Sequence, residues 1–247
     1  MGFFDRFRRG GEQVPDFEFR TVEQIREQYE FGIMGFLGFS TDWTDHCHEL
    51  KIHEYPTLDF VKALAKYASE RAPELLRGEN RPLRVLEVAA GAGYTALGVR
   101  QQLDELHGGH GADVVDWRAV DSNAYGYPEN VLRANDVAIG DFRDELRAYR
   151  PDMVFGGSIP HAEDEASWTK EFARAGIKEY LLTGYNEIRS THEDDGLYMA
   201  LAEDGYTQVV PDGFDGTQLS IRSDKSSAGG IIPNTGIISL RIDGAAS

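Results

Sequence analysis

The sequence predicts an α/β fold: a doubly wound, mostly parallel sheet with an antiparallel C-terminal end, preceded by helices. Residues 85–88 form a short β-rich run that ends in small residues and a Gly-x-Gly turn, and the apolar positions then take helical spacing. Strand-like and helical segments alternate from there to residue 183, and further strand-like segments follow. A strand, a tight glycine turn and a helix form the first half of a nucleotide-binding βαβ unit. Alternation indicates a parallel sheet, and the terminal strands indicate its antiparallel end.

The composition restricts the class of protein. The chain has 247 residues, enough for one sizeable core, and no apolar run approaches the roughly 20 residues that span a membrane. Cys47 is the only cysteine, which excludes an internal disulfide and fits a reducing, cytoplasmic setting. The formal net charge of -17 disfavours unaided binding of long nucleic acid, because like charges repel. An acid-rich, lysine-poor composition also suits high salt, so a halophilic source is a second explanation of the acidity.

Three regions follow one another along the chain. Residues 1–19 are polar and interrupted by glycine and proline, so we expect a flexible arm. Residues 20–80 are expected to form a helical cap or substrate lid, with one helix that opens near Thr21 and another that has Thr57 as its N-cap. The remainder, 81–247, is expected to be the ligand-binding core.

Within this core, most of the chain has a strand or helix prediction. After the glycine turn and its helix, strand-like segments lie at 114–121, 137–142, 151–155, 179–183, 206–210, 217–222 and 236–242. Helical segments lie at 128–134, 143–149, 163–175 and 197–203. The second and third predicted strands each end in an acid, Asp121 and Asp141. Open parallel sheets bind ligands at these carboxyl ends of their strands.

The glycine turn has a specific pattern: an acid, any residue, a small residue, any residue, then Gly-x-Gly. Glu87, Ala89, Gly91 and Gly93 fill its defined positions. With this motif, the chain from Leu83 to Ile242 resembles the class I S-adenosylmethionine-dependent methyltransferases. The resemblance implies a Rossmann-like, seven-stranded sheet whose last strand is antiparallel. It also implies that the turn passes under the methionine part of the cofactor, with Glu87 near its amino group.

The resemblance assigns further cofactor residues at the ends of the next strands. Asp121 would take both ribose hydroxyls, since a carboxylate can accept from two O–H donors. Asp141 would lie near the adenine amino group. The remaining cofactor positions implied by the resemblance are Ser122, Gly140, Phe142 and Gly157.

Two other interpretations of the glycine turn stay open. Residues 91–96 also satisfy the G-x-G-x-x-A pattern of NAD and FAD sites, which would make the chain an NAD(P)-binding oxidoreductase. Against this stand Glu87, where a buried parallel strand usually has an apolar residue, and the roughly 80 residues before the turn. The third interpretation is a non-catalytic, cofactor-binding interaction protein.

The acceptor side is less defined. Residues 155–161 lack the Asn/Asp-Pro-Pro-aromatic motif of enzymes that methylate nucleic-acid amino groups, and there is no Pro-Cys nucleophile. We therefore expect transfer to an oxygen or nitrogen of a small molecule, with a protein or nucleic acid as the alternative. His161 is the candidate catalytic base, because imidazole titrates near neutral pH, although a surface histidine at a helix start is the competing interpretation. Trp43, His46 and Ser158 join His161 as candidate substrate residues, and the sequence does not assign an oligomeric state.

A dense group of possible metal ligands lies in the predicted cap: His46, Cys47, His48 and His53. His46 and His48 would point apart on a helix and together on a strand. A polar cap segment is the alternative to a metal site, and we assign no metal.

Overall fold

The computed structural model describes residues 17–28, 41–52, 54–156, 165–185, 205–214, 217, 219–220 and 235–242. The helices are α1 (Val22–Gln28), α2 (Thr41–Glu49), α3 (Leu58–Leu76), α4 (Tyr94–Leu106), α5 (Gly111–Val114), α6 (Glu129–Ala134), α7 (Phe142–Tyr149) and α8 (Glu165–Arg174). The strands are β1 (Glu54–Tyr55), β2 (Leu83–Val88), β3 (Val115–Asp121), β4 (Val137–Ile139), β5 (Met153–Gly156), β6 (Glu179–Tyr185), β7 (Tyr206–Val209), β8 (Leu219–Ser220) and β9 (Thr235–Ile242). Within the described ranges, no helix is long and apolar enough to cross a membrane.

Seven strands form one sheet in the order β4-β3-β2-β5-β6-β9-β7. The five neighbouring strands β4, β3, β2, β5 and β6 pair in parallel, and β9 pairs antiparallel with both β6 and β7. The last strand is thus the antiparallel one, and the predicted fold class is confirmed. The strand order places β2 in the interior of the sheet, with β3 and β5 beside it.

Side chains alternate across the sheet and fill two separate cores. In β2, Leu83 and Val85 belong to the core that α3 and α4 cover. Leu86 and Val88 point the other way, into the core that α7 and α8 cover. Helices on both faces are what a doubly wound sheet requires.

Helix α3, which precedes the first strand of the main sheet, packs against this sheet. The Thr57 hydroxyl accepts a hydrogen bond from Phe60 N at 3.1 Å, so the predicted N-cap is confirmed. Buried residues of α3 share one core with β2, which makes this part of the predicted cap a layer of the sandwich. Phe17 and Phe19, assigned by the sequence to the flexible arm, pack against the same core, with the Phe17 ring stacked on Tyr94 at 4.2 Å.

One strand pairing was not predicted. Strand β8 pairs antiparallel with β1 in a separate two-stranded sheet, although the sequence placed residues 217–222 with the terminal strands of the main sheet. Because β1 lies in the predicted cap, this pairing ties the C-terminal region to residues 54–55. The helix predicted at 197–203 lies outside the described residues.

Candidate functional site at the glycine turn

Two carboxylates lie at the carboxyl ends of neighbouring parallel strands, beside the glycine turn. Glu87 is the next-to-last residue of β2, and Asp121 is the last residue of β3. Alternation along β3 places Asp121 on the same face as Trp117 and Ala119, which belong to the core under α3 and α4. Glu87 shares the face of Val85, in the same core. The fold therefore brings together the two acids that the sequence singled out first.

The Glu87 carboxyl is buried, with 2% of the residue exposed. Trp117 Nε1 donates to its Oε2 at 2.9 Å, and this is its only hydrogen bond from the described residues. Burial raises the pKa of Glu87 to about 7, against the lowering influence of the Trp117 hydrogen bond and the Arg100 charge. Nearby Arg100 directs its N–H groups to the carbonyls of Trp117 and Asn135. Glu87 is thus a buried acid without an ion-pair partner among the described residues.

Asp121 connects the glycine turn to the end of β3. Its Oδ2 accepts from Gly91 N at 2.8 Å, and its Oδ1 accepts from Asn123 N at 2.6 Å. Burial raises the pKa of Asp121, while these two N–H groups favour its ionised form. The carboxylate therefore fixes the position of the glycine turn relative to the end of β3.

The glycines of the motif are explained by close protein contacts. Gly91 and Gly93 have φ of +57° and +79°, a region that L side chains rarely adopt. A Cβ on Gly93 would lie 2.2 Å from Val137 Cγ2, and one on Gly91 would lie 3.1 Å from the Tyr127 hydroxyl. At both positions, therefore, the close neighbour that requires a glycine is a side chain of the protein itself.

The third acid, Asp141, also caps a helix. Asp141 is exposed and is the N-cap of α7, where its Oδ1 accepts from Arg143 N at 2.8 Å. Gly140 lies next to the site, since its N–H donates to the Asp121 carbonyl at 3.0 Å. Phe142 is buried in the other core, against Trp168 at 4.3 Å. Asp141 and Phe142 thus have structural roles in capping and packing, and their assignment to the cofactor stays a prediction.

Four other predicted cofactor or acceptor residues can be placed only in part. Ser122 follows Asp121 directly and is exposed. Gly157, Ser158 and His161 lie outside the described residues, so their assignments stay predictions.

The predicted acceptor residues of the cap lie on a helix. Trp43 is 2% exposed and packs against Tyr55 at 5.3 Å, so its ring belongs to the core, and its assignment to the acceptor stays a prediction. His46 is half-buried on the same helix, and burial lowers its pKa. Because His46 and His48 are two residues apart on α2, their side chains diverge, and the described part of the chain contains no group of three possible metal ligands. His53 is not among the described residues.

Three residues shape the site through contacts that sequence reasoning missed, although the sequence offered Tyr127 as one of several aromatic residues that could line an acceptor pocket. Trp117 binds Glu87, Tyr127 covers Gly91 and donates from its hydroxyl to the Lys51 carbonyl at 2.9 Å, and Asn135 Nδ2 donates to the Ala92 carbonyl at 2.7 Å. Of these three contacts, only that of Trp117 had a signal in the sequence. Trp117 shares a face with Asp121 by the two-residue period of a strand, which would have pointed to the same crevice.

Comparisons with known proteins return similar structures only. No protein-family model matches the sequence, and no curated protein matches it. A precorrin-6y C5,15-methyltransferase from Geobacter metallireducens GS-15 is 14% identical, with a TM-score of 0.43 over 73% of this chain and 86% of its own. The DszA carbon methyltransferase is 19% identical, with a TM-score of 0.46 over 87% of this chain and 58% of its own. Magnesium protoporphyrin IX methyltransferase from Synechocystis PCC 6803, with bound S-adenosylmethionine, is 12% identical, with a TM-score of 0.44 over 96% of this chain and 90% of its own. Identities of 12% to 19% describe a likeness of fold only, so function has to follow from the residues of this chain.

Proposed function

We propose that this protein is an S-adenosylmethionine-dependent methyltransferase whose cofactor binds at the carboxyl ends of β2 and β3. The observation that supports this most is Glu87, a buried carboxyl beside the glycine turn with no ion-pair partner among the described residues. Burying a lone carboxylate is unfavourable, so a site of this kind favours a cationic ligand.

The chemistry of the two acids fits the proposed cofactor. S-adenosylmethionine has an ammonium group, for which Glu87 would be the acceptor, and a ribose diol, for which Asp121 would be the acceptor. Each Asp121 oxygen accepts one backbone N–H and has a second lone pair left for a hydroxyl donor. When bound, the cofactor would supply a methyl group on a sulfonium: an acceptor lone pair bonds to the methyl carbon in line, and the C–S bond breaks with its electron pair left on the sulfur.

A dinucleotide fits the same site less well. Its pyrophosphate is an anion that would approach the glycine turn and the start of α4. Glu87 and Asp121 place two buried carboxyls next to this turn, and charges of one sign repel strongly where water is excluded. The electrostatics of the turn therefore favour a cationic ligand over NAD or FAD.

For the acceptor, we propose an oxygen or nitrogen of a small molecule. His161 would take the acceptor proton where one is lost, with Ser158 and His46 beside the acceptor, and residues 20–80 would contribute the cap. Gly157, Ser122, Gly140, Asp141 and Phe142 complete the proposed cofactor set around Asp121, with Asp141 near the adenine amino group. The net charge of -17 disfavours a long nucleic acid as the acceptor.

A ligand screen by thermal unfolding tests this proposal. We expect S-adenosylmethionine and S-adenosylhomocysteine to raise the Tm, because a ligand at a hundred times its Kd stabilises the folded state by about 2.7 kcal/mol. NAD at the same concentration should leave the Tm unchanged. Stabilisation by NAD alone would show that the site binds a dinucleotide.

Replacing Asp121 with asparagine is expected to weaken binding of S-adenosylhomocysteine about tenfold, the effect of losing a charged hydrogen-bond acceptor. Asparagine also presents an N–H₂ group toward either Gly91 N or Asn123 N, so the side chain at position 121 loses one of the two hydrogen bonds that it accepts. Calorimetric titration of both proteins would measure the difference. Asp116→Asn, at the opposite end of β3, is the matched control and should bind normally; equal binding by Asp121→Asn would remove Asp121 from the site.

A further inference from the structure

The contact between Trp117 and Glu87 joins two buried side chains on neighbouring strands. Each residue is 2% exposed, and the indole N–H lies 2.9 Å from Glu87 Oε2. In the parallel register, Glu87 lies opposite Ala119, and Trp117 lies opposite Val85, so the contact is a diagonal one across β2 and β3. Such a contact fixes a side-chain direction that neither strand fixes alone.

We propose that Trp117 is a positioning residue that holds the Glu87 carboxylate in the orientation that receives the cationic group of the cofactor. This role rests on the proposed function, because it requires a cationic ligand at Glu87. Among the described residues, only Trp117 donates to Glu87, and it binds one of the two oxygens. The second oxygen, Oε1, is left as the acceptor for the ligand.

The indole is itself well fixed, as a positioning residue must be. Its ring packs against Phe155 with centroids 5.6 Å apart, and the Trp117 carbonyl accepts from Arg100 at 3.3 Å. An indole N–H can donate but not accept, so it favours an acceptor oxygen at Glu87 and does not compete for the ligand's protons.

The contact also controls the charge of Glu87. Burial and the nearby Asp121 raise the pKa of Glu87, while the Trp117 N–H and the positive charge of Arg100 on α4 lower it. From β5, the residue opposite Glu87 is Phe155, which has no charge. Loss of the indole N–H therefore raises the pKa of Glu87, so the acid becomes ionised only at higher pH.

The first test needs no cofactor. The chain has three tryptophans, and Trp117→Phe assigns the Trp117 indole N–H resonance in a two-dimensional ¹H–¹⁵N spectrum. This resonance should move with pH, with a midpoint near 7, because its acceptor changes charge. In Glu87→Gln it should not move over the same range. A Trp117 resonance at the same position in Glu87→Gln as in the wild type at every pH would overturn the proposed contact.

The second test measures the Kd of S-adenosylhomocysteine by calorimetry between pH 5.5 and 8.5. Trp117→Phe should shift the midpoint of the affinity profile upward by about one pH unit, since a hydrogen bond to a charged group is worth about 1.5 kcal/mol or more. Trp168→Phe, another buried tryptophan but in the other core, should not shift it. In a Glu87→Gln background, position 87 no longer titrates, so Trp117→Phe should cause no further change in the pH dependence of the affinity. A merely structural role of Trp117 would not predict this.

The two ways of failing are distinct. If the wild type binds no S-adenosylhomocysteine at any pH, the proposed function is wrong, and the spectroscopic titration still decides whether Trp117 controls Glu87. If the wild type binds and Trp117→Phe leaves the midpoint unchanged, the positioning role is wrong and the proposed function stands.

Discussion

Replacing Glu87 with glutamine is expected to make folding stability less dependent on pH and, at the same time, to weaken cofactor binding. Between the unfolded and the folded state, the pKa of this acid rises from 4.5 to about 7. A raised pKa means that the folded state binds the proton more tightly. The contribution to stability is therefore complete below pH 4.5 and is lost as pH rises through 7, a loss of about 3 kcal/mol by pH 8.

Urea unfolding at pH 5 and pH 8 measures this effect. Glutamine cannot ionise, so Glu87→Gln should lose about 2.5 kcal/mol less stability between the two pH values than the wild type does. Glu105→Gln, on the exposed side of α4, is the matched control and should retain the full wild-type fall. The same fall in Glu87→Gln as in the wild type would mean that Glu87 is already ionised at pH 5.

Cofactor affinity should change in the opposite direction. Glutamine keeps the Trp117 hydrogen bond but has no charge for an ammonium group, so the Kd of S-adenosylhomocysteine at pH 8 should rise about a hundredfold. A substitution that favours the folded protein at high pH and harms binding is the expected signature of a residue kept for a ligand. Unchanged affinity would place the ammonium group elsewhere.

Gly93→Ala is expected to be the most destabilising single change at the turn, by about 4 kcal/mol. Two effects add: strain from the φ of +79°, and a Cβ that would lie 2.2 Å from Val137 Cγ2 in the packed core. Chemical denaturation gives the free energy of unfolding directly.

A matched control separates the two effects. Gly109 has a φ of +89° and nothing within 4 Å of its Cβ position, so Gly109→Ala should show the strain alone, about 1–2 kcal/mol. Adding Val137→Ala to Gly93→Ala should restore part of the lost stability, because it removes the clashing methyl group. Equal destabilisation by Gly93→Ala and Gly109→Ala would show that Val137 moves aside without cost.

The local features of the site could be predicted from sequence because they depend on neighbours along the chain. The period of apolar residues changes between residues 85–88 and the following helix, and it predicts a strand, a turn and a helix there, which the structure confirms. Glu87 and Asp121 could be placed at strand ends for the same reason. Asp141 has the same sequence signal, yet its side chain caps α7, because a strand end and a helix start coincide at that residue.

The tertiary structure alone decided the partners of these residues. Trp117 is 30 residues from Glu87, and their contact depends on which strand lies beside β2 and in which register. Gly91 and Gly93 have to be glycines because the Tyr127 and Val137 side chains lie close to where a Cβ would be, and neither side chain is adjacent in sequence. By itself, then, the sequence determined the α/β alternation, the glycine turn and the acids beside it. Strand order, the packing of α3 on the sheet and the environment that keeps Glu87 buried follow from contacts between distant segments, which local periodicity does not encode.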